Sequence, residues 1–145
     1  MNVTTLRSRF VGPVLTASLL AALVAAALTP PAKAQAEAFP FGRELLLDVA
    51  PLRGSKKVPI LDIGDGGSAE IELWCNAVKA QLIVAGDTVT IITGEASGRQ
   101  CAPERARADE DLLAALNEIT NWRMEPSALV LTGGSRTLRF RTQTN

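Results

Sequence analysis

Short apolar runs separated by turn residues fill the chain between residues 44 and 93. In two of them, around Ile71-Glu72-Leu73 and from Val78 to Leu82, apolar and polar residues alternate, as in strands with one buried and one solvated face. Turns containing Gly66-Gly67 and Gly86 favour hairpins, because glycine adopts positive φ without steric cost. The pattern predicts sequential antiparallel strands at Leu45–Val49, Val58–Ile63, Ala69–Trp74, Val78–Val84 and Val89–Thr93.

Between Cys101 and Trp122 the apolar spacing changes from two residues to three or four. Such spacing places side chains along one stripe of a helix, and it predicts a helix over residues 108–120. The stripe consists of Leu112, Leu113, Leu116 and Ile119.

Three consecutive acids, Asp109, Glu110 and Asp111, lie in the first turn of this predicted helix. Adjacent helical residues point about 100° apart, so their carboxylates do not converge on a metal or a substrate. Near a helix N-terminus they oppose the positive end of the helix dipole, and we interpret them as stabilising the helix start. Asn121 is expected to end the helix in a left-handed conformation.

Strand patterns resume after the helix. They cover Trp122–Glu125, Leu129–Thr132 and Thr137–Arg141, and a Gly133-Gly134-Ser135 turn joins the last two. A run of strands, one helix and further strands predicts an α+β domain. We expect the helix to pack on a curved antiparallel sheet or across the mouth of a small barrel.

The last predicted strand carries the densest cluster of cations, namely Arg136, Arg139 and Arg141, with Arg123 as a candidate neighbour. Cations on the outer face of a terminal strand prevent edge-to-edge aggregation. The same cations could form an anion site. We expect the protective role, with anion binding as the alternative.

The first 34 residues belong to a different class of sequence. Arg7 and Arg9 precede the apolar run Val14–Leu28, and small residues follow up to Ala34, which predicts a secretory signal peptide cleaved after Ala34 or after Ala36. The alternative is a retained membrane anchor. A membrane span needs about 20 apolar residues, and this run is shorter.

The mature chain is therefore expected to begin near Gln35. A bacterial lipoprotein would need Cys as its first mature residue, so Gln35 favours a soluble periplasmic or secreted product. Residues 35–43 contain Pro40 and lack any period, and we expect a flexible lead-in. The folded domain is expected to cover residues 44–145.

Charge and composition narrow the function classes. The chain has 15 cationic and 15 acidic side chains, of which the leader holds three cations and no acid, so residues 35–145 carry 12 and 15, a net charge of −3. This charge does not favour a nucleic-acid partner. The chain contains no His, which removes the commonest general base and metal ligand. We expect a monomer that is not an enzyme and has no cofactor or metal.

Both cysteines, Cys75 and Cys101, fall in the part predicted to be exported. Oxidising compartments favour disulfides, and closing a loop of about 26 residues stabilises a fold by about 3.5 kcal/mol on a chain-entropy argument. The alternatives are a metal pair and a reactive thiol. Neither gains support, because there is no His and no CxxC spacing. We predict a structural disulfide.

Several segments occur in a characteristic order. They are Trp74-Cys75-Asn76, a hairpin through Gly86-Asp87, the stretch 96–101 ending in Cys101, the stretch 109–116 (DEDLLAAL), and 121–125 (NWRME) followed by Ala128–Leu131 and a Gly-Gly turn. Over residues 74–141, and more loosely from Glu44, this order resembles the META domain of HslJ-like secreted bacterial proteins. Trp74 stands where that family usually has Gly, and Asp109 where it usually has Glu.

The resemblance implies a supporting role at the cell envelope, in a family associated with tolerance of heat and certain antibiotics and, in some members, with motility or secretion. It brings no catalytic mechanism. We expect a non-enzymatic binding or stabilising module with an envelope or extracellular protein partner. The alternative is a periplasmic inhibitor of a hydrolase such as lysozyme, because Ala96-Ser97-Gly98 resembles the Ser-Gly loop that such inhibitors insert. Ser97, Gly98 and Arg99 are therefore the candidate interaction loop.

Overall fold

The computed structural model of the protein describes residues 38–142. This part of the chain forms eight strands and one helix, with five strands before the helix and three after it. The strands are β1 (Arg43–Leu47), β2 (Ile60–Ile63), β3 (Ser68–Glu72), β4 (Ala77–Ala85), β5 (Thr88–Ala96), β6 (Asn121–Glu125), β7 (Ala128–Gly133) and β8 (Arg136–Thr142), and the helix is α1 (Pro103–Glu118).

The strands close into an antiparallel barrel in sequence order. Each strand pairs with the next, and β8 returns to pair with β1, where Leu46 lies opposite Arg141. The predicted fold class is confirmed. Of the two arrangements that the sequence left open, the chain adopts the closed barrel.

The barrel interior is filled by the inward residues of the alternating strands. A fully buried aliphatic or aromatic side chain contributes about 1.5–3 kcal/mol relative to an exposed one. The alternation seen in the sequence therefore orients each strand, because a slip of one residue would expose its apolar set. Leu45, Leu61, Ile71, Leu129, Leu131 and Phe140 are completely buried.

The weakest strand pairing lies between β5 and β6, which meet only where Thr88 pairs with Asn121. Helix α1 connects these two strands and packs against β5 and β8. Leu112 and Leu116 enter the core from the helix and the partly buried Leu113 packs against it, which confirms this part of the predicted stripe. Ile119, its fourth member, is buried but lies beyond the helix end.

The bounds of the helix correct the sequence prediction. It begins at Pro103, five residues before the predicted start, and ends at Glu118. Ile119 follows in an extended conformation, with φ −68° and ψ 134°, so the expected left-handed end at Asn121 is wrong. Proline suits the first helical position because its φ is already helical. The acid of the first turn is Glu104.

The close contact of the helix end with Gly133 explains why this strand residue has no side chain. A Cβ at Gly133 would overlap the Glu118 carbonyl oxygen and lie 2.6 Å from the Ile119 Cα. Gly133 is the last residue of β7, and the turn itself uses Gly134 at φ 52°. The two glycines therefore serve different purposes.

Part of the segment 35–43, which the sequence predicted as a flexible lead-in, packs against the barrel. Phe39 is buried, and its ring lies 4.8 Å from that of Phe41 and 5.0 Å from that of Trp122. Arg43 already belongs to β1. The predicted leader, its cleavage sites and residues 35–37 lie outside the described residues. Within residues 38–142 no helix is long and apolar enough to cross a membrane.

The predicted protective role of the arginine cluster is wrong, because β8 is not an edge strand. It pairs with β7 on one side and β1 on the other. Three of the four arginines instead form ion pairs. These pairs are Arg123–Glu125 at 3.0 Å, Arg136–Glu118 at 3.8 Å, Arg139–Asp48 at 3.2 Å, and Arg139–Glu125.

Glu125 lies between two of these guanidinium groups. The hydrogen bonds from Arg139 and then from Arg123 lower the pKa of Glu125 below its ordinary value. In turn, the hydrogen bond to Glu125 raises the pKa of Arg139. Both effects favour the charged forms of the pair.

Candidate functional site

The chain turns between β3 and β4 in an irregular corner formed by Trp74, Cys75 and Asn76. One carboxylate holds all three backbone N–H groups. Trp74 and Cys75 donate to Asp109 Oδ1 at 2.8 and 3.2 Å, and Asn76 donates to Oδ2 at 2.9 Å. Asp109 thus attaches helix α1 to the corner.

Asp109 is 3% exposed. A buried carboxylate is costly unless it is hydrogen-bonded. Here the side-chain amide of Asn76 supplies a fourth donor, with Nδ2 3.1 Å from Oδ2. The interpretation of Asp109 as an acid of the first helical turn is therefore wrong, because its carboxylate points inward and binds the corner.

The predicted disulfide between Cys75 and Cys101 is present, with the two Cα atoms 6.0 Å apart. It joins the same corner to the segment just before α1. The two sulfur atoms and an Asp109 oxygen lie within 4.8 Å of one another. The sulfurs are covalently joined and the carboxylate accepts four hydrogen bonds, so all three groups serve the structure of the corner.

The candidate interaction loop packs against Asn76. Ser97 Oγ donates to Asn76 Oδ1 at 3.1 Å, and the backbone N–H of Arg99 donates to the same oxygen at 2.8 Å. Ser97 Oγ also accepts from the Ala77 N–H at 3.1 Å. Between these contacts Gly98 has φ 68°. The side chain of Asn76 therefore links Asp109 on one side to the loop on the other.

Ser97, Gly98 and Arg99 are all exposed. Within residues 38–142 the Arg99 side chain forms no hydrogen bond or ion pair; only its backbone is held. The loop is thus fixed by its backbone and by Cys101 while the guanidinium faces solvent. The structure brings the three candidate residues together at one surface.

Neither the role of Asn76 nor that of Asp109 was predicted from the sequence. One signal was available for Asp109. It lies three residues before Leu112 and seven before Leu116, which places an acid on the apolar stripe of the helix. Charged residues are almost never fully buried unless they are paired. Asn76 belongs to the Trp74-Cys75-Asn76 segment that resembles the family. No local pattern indicates its contacts, because its partners lie 21 to 33 residues away.

The family model of the META domain matches residues 45–145. The chain belongs to the META family. No curated protein matches this META domain. A solved structure, described as an NMR structure of a protein, aligns with it at a TM-score of 0.53 and 16% sequence identity, and the alignment covers 70% of this chain and 89% of the other. That likeness shows a shared fold.

Proposed function

We propose that this META domain is exported and acts at the bacterial envelope as a non-enzymatic binding module, with Ser97–Arg99 as its contact loop. The observation that carries the proposal is the double role of Asn76, which holds the loop through Ser97 and Arg99 while Asp109 holds Asn76. A loop that is already ordered loses less conformational entropy on binding. Binding residues are also commonly found on loops that a rigid scaffold positions.

Arg99 is the side chain that this loop offers to a partner. A guanidinium donates two parallel hydrogen bonds to a carboxylate, and arginine is enriched among the residues that dominate interface energetics. The exposed guanidinium of Arg99 therefore favours a protein partner with a carboxylate at the contact.

The structural role of Asp109, whose carboxylate binds the corner, supports a function without catalysis. A buried carboxylate is a usual candidate for acid–base chemistry. Here both of its oxygens accept hydrogen bonds from the corner, and the chain contains no His. The Cys75–Cys101 disulfide supports export, since such bonds persist in oxidising compartments.

The envelope role can be tested in the native bacterium after deletion of the gene. We expect the deletion to reduce survival under heat or antibiotic stress, and the full chain to restore it. A chain lacking residues 1–34 and the Arg99→Ala variant should not restore survival. The matched control is Lys79→Ala, which removes an exposed cation from β4 and should restore survival fully.

Immunoblots must show equal amounts of each variant in that experiment. Unchanged survival of the deletion strain would remove the envelope role. Restoration by Arg99→Ala would remove the loop as the contact, and restoration by the chain without residues 1–34 would remove the need for export.

A second candidate is inhibition of a hydrolase such as lysozyme. The observation that favours it is the exposed Ser97-Gly98 turn, which is held in one shape by Asn76. Stoichiometric inhibition of lysozyme by the purified protein would support this function, and Arg99→Ala or Ser97→Ala should weaken it. Full lysozyme activity in the presence of tens of micromolar of the protein would remove this function. Such a result would mean that any binding is weaker than about 6–7 kcal/mol.

A further inference from the structure

The connection between β1 and β2, residues 48–59, is much longer than the about 2–5 residues that join ordinary hairpin strands. Its two ends are adjacent, because the N–H of Leu47 donates to the Pro59 carbonyl at 2.9 Å. A surface loop with adjacent ends is an Ω-loop, and such loops are frequently functional. We call residues 48–59 the Ω-loop.

The Ω-loop has a defined shape. At its start the Asp48 N–H donates to the Arg139 carbonyl at 2.8 Å, and the Asp48 carboxylate pairs with the Arg139 guanidinium at 3.2 Å. Further along, the Ser55 N–H donates to the Leu52 carbonyl at 2.9 Å, and Ser55 Oγ accepts from the Lys57 N–H at 3.1 Å.

The Ω-loop lies beside a strip of outward residues on the barrel wall. Arg141, Leu46, Ile60 and Glu72 are direct neighbours across β8, β1, β2 and β3. Leu46 and Ile60 are half-buried although they face outward. Between the strip and the loop is a groove of about 280 Å³. On the loop side its apolar wall is formed by Val49, Pro51 and Val58.

The charged residues that line this groove are unbalanced. Lys56, Lys57 and Arg141 line it together with one acid, Glu72. Within residues 38–142 none of the three cations forms an ion pair. The groove therefore combines an apolar wall with an excess of positive charge, three cations against one acid.

We propose that the groove binds a small amphipathic carboxylate, namely a free fatty acid of medium chain length. The acyl chain would cover Leu46, Ile60 and Val58, and the burial of its methylenes away from water would favour binding. The carboxylate would accept charge-assisted hydrogen bonds from the lysines or Arg141. The groove lies just below the range of about 300–1,000 Å³ that is typical of small-molecule sites, so the ligand is small. This site does not depend on the loop at Ser97–Arg99.

Calorimetric titration of the protein purified from an exporting host tests the proposal. Decanoate is the probe, decyltrimethylammonium carries the same chain with the opposite charge, and acetate carries the carboxylate without the chain. We expect decanoate to bind one site per chain below its critical micelle concentration, and neither of the other two to bind. Absence of decanoate binding, or equal binding of decyltrimethylammonium, would overturn the proposal.

Variants then locate the site. Arg141→Ala and the double change Lys56→Ala, Lys57→Ala should each weaken decanoate binding about tenfold or more, the loss of a hydrogen bond to a charged group. Val49→Asp should abolish binding, and Lys79→Ala, an exposed cation outside the groove, should leave it unchanged. Unchanged melting temperatures show that each variant is folded. Unaltered affinity in the groove variants, or equal loss in Lys79→Ala, would overturn the assignment.

Discussion

Asn76 and Asp109 lie 33 residues apart and are joined by two hydrogen bonds, because both the backbone N–H and the side-chain amide of Asn76 donate to Asp109 Oδ2, at 2.9 and 3.1 Å. The carbonyl oxygen of the same Asn76 side chain accepts from Ser97 Oγ and from the Arg99 N–H. One amide therefore connects the helix to the surface loop. A substitution at Asp109 should therefore alter the conformation of the Ser97–Arg99 loop, which Asp109 itself does not contact.

Replacing Asp109 by Asn should destabilise the fold strongly. The amide would turn an NH2 group toward N–H donors and leave some of them unpaired, so we expect a loss of about 3 kcal/mol in the free energy of unfolding. Urea denaturation measures the change. Asp111→Asn, an exposed position two residues along the same helix, should change it by less than about 0.5 kcal/mol. Equal effects of the two variants would show that the Asp109 contacts do not stabilise the corner.

The Cys75–Cys101 disulfide should contribute about as much to the free energy of unfolding as the Asp109 contacts do. A loop closed between residues 26 apart constrains the unfolded chain by about 3.5 kcal/mol at room temperature. The double variant Cys75→Ser, Cys101→Ser should lose about this much stability in urea denaturation. Mass spectrometry of unreduced protein should show two hydrogens fewer than the reduced form, and two titratable thiols per native chain would contradict the bond.

Gly133 and Gly66 allow a matched test of how closely the backbone packs around a glycine. Gly133→Ala should destabilise the barrel by more than about 2 kcal/mol, because the added methyl would overlap the helix end at Glu118. At Gly66 a Cβ meets nothing within 4 Å, so Gly66→Ala should have little effect. Thermal denaturation compares the two variants. A tolerated alanine at Gly133 would mean that the helix does not end against β7.

The ion pairs of Glu125 predict a pH dependence. Because its pKa in the folded state lies below the ordinary value of 4.5, its contribution to stability is present above the unfolded pKa and is lost as the pH falls through the folded pKa. Glu125→Gln should therefore lower the melting temperature slightly at neutral pH, and the difference from the unmutated chain should shrink below about pH 4.5. A difference that stays constant down to strongly acidic pH would contradict this contribution.

The sequence predicted what depends on local patterns. Alternation located strands such as β3, whose buried and exposed residues alternate, and the helical spacing located the stripe at Leu112 and Leu116. The helix start at Pro103 was missed because the residues from Glu104 to Arg107 are mostly polar and carry no apolar period. Barrel closure and the Asn76 contacts depend on pairings between distant segments, such as Leu46 with Arg141, which no local pattern encodes.

Amide hydrogen exchange by NMR tests most directly the claim that Asp109 orders the corner and, through Asn76, the candidate loop. In the unmutated protein the amides of Trp74, Asn76 and Arg99 should exchange slowly although they lie outside the strands, because each is hydrogen-bonded to a side-chain oxygen. In Asp109→Asn these amides should lose far more protection than strand amides such as Ile91. Rapid exchange at Asn76 and Arg99 in the unmutated protein, or protection unaffected by Asp109→Asn, would contradict the claim.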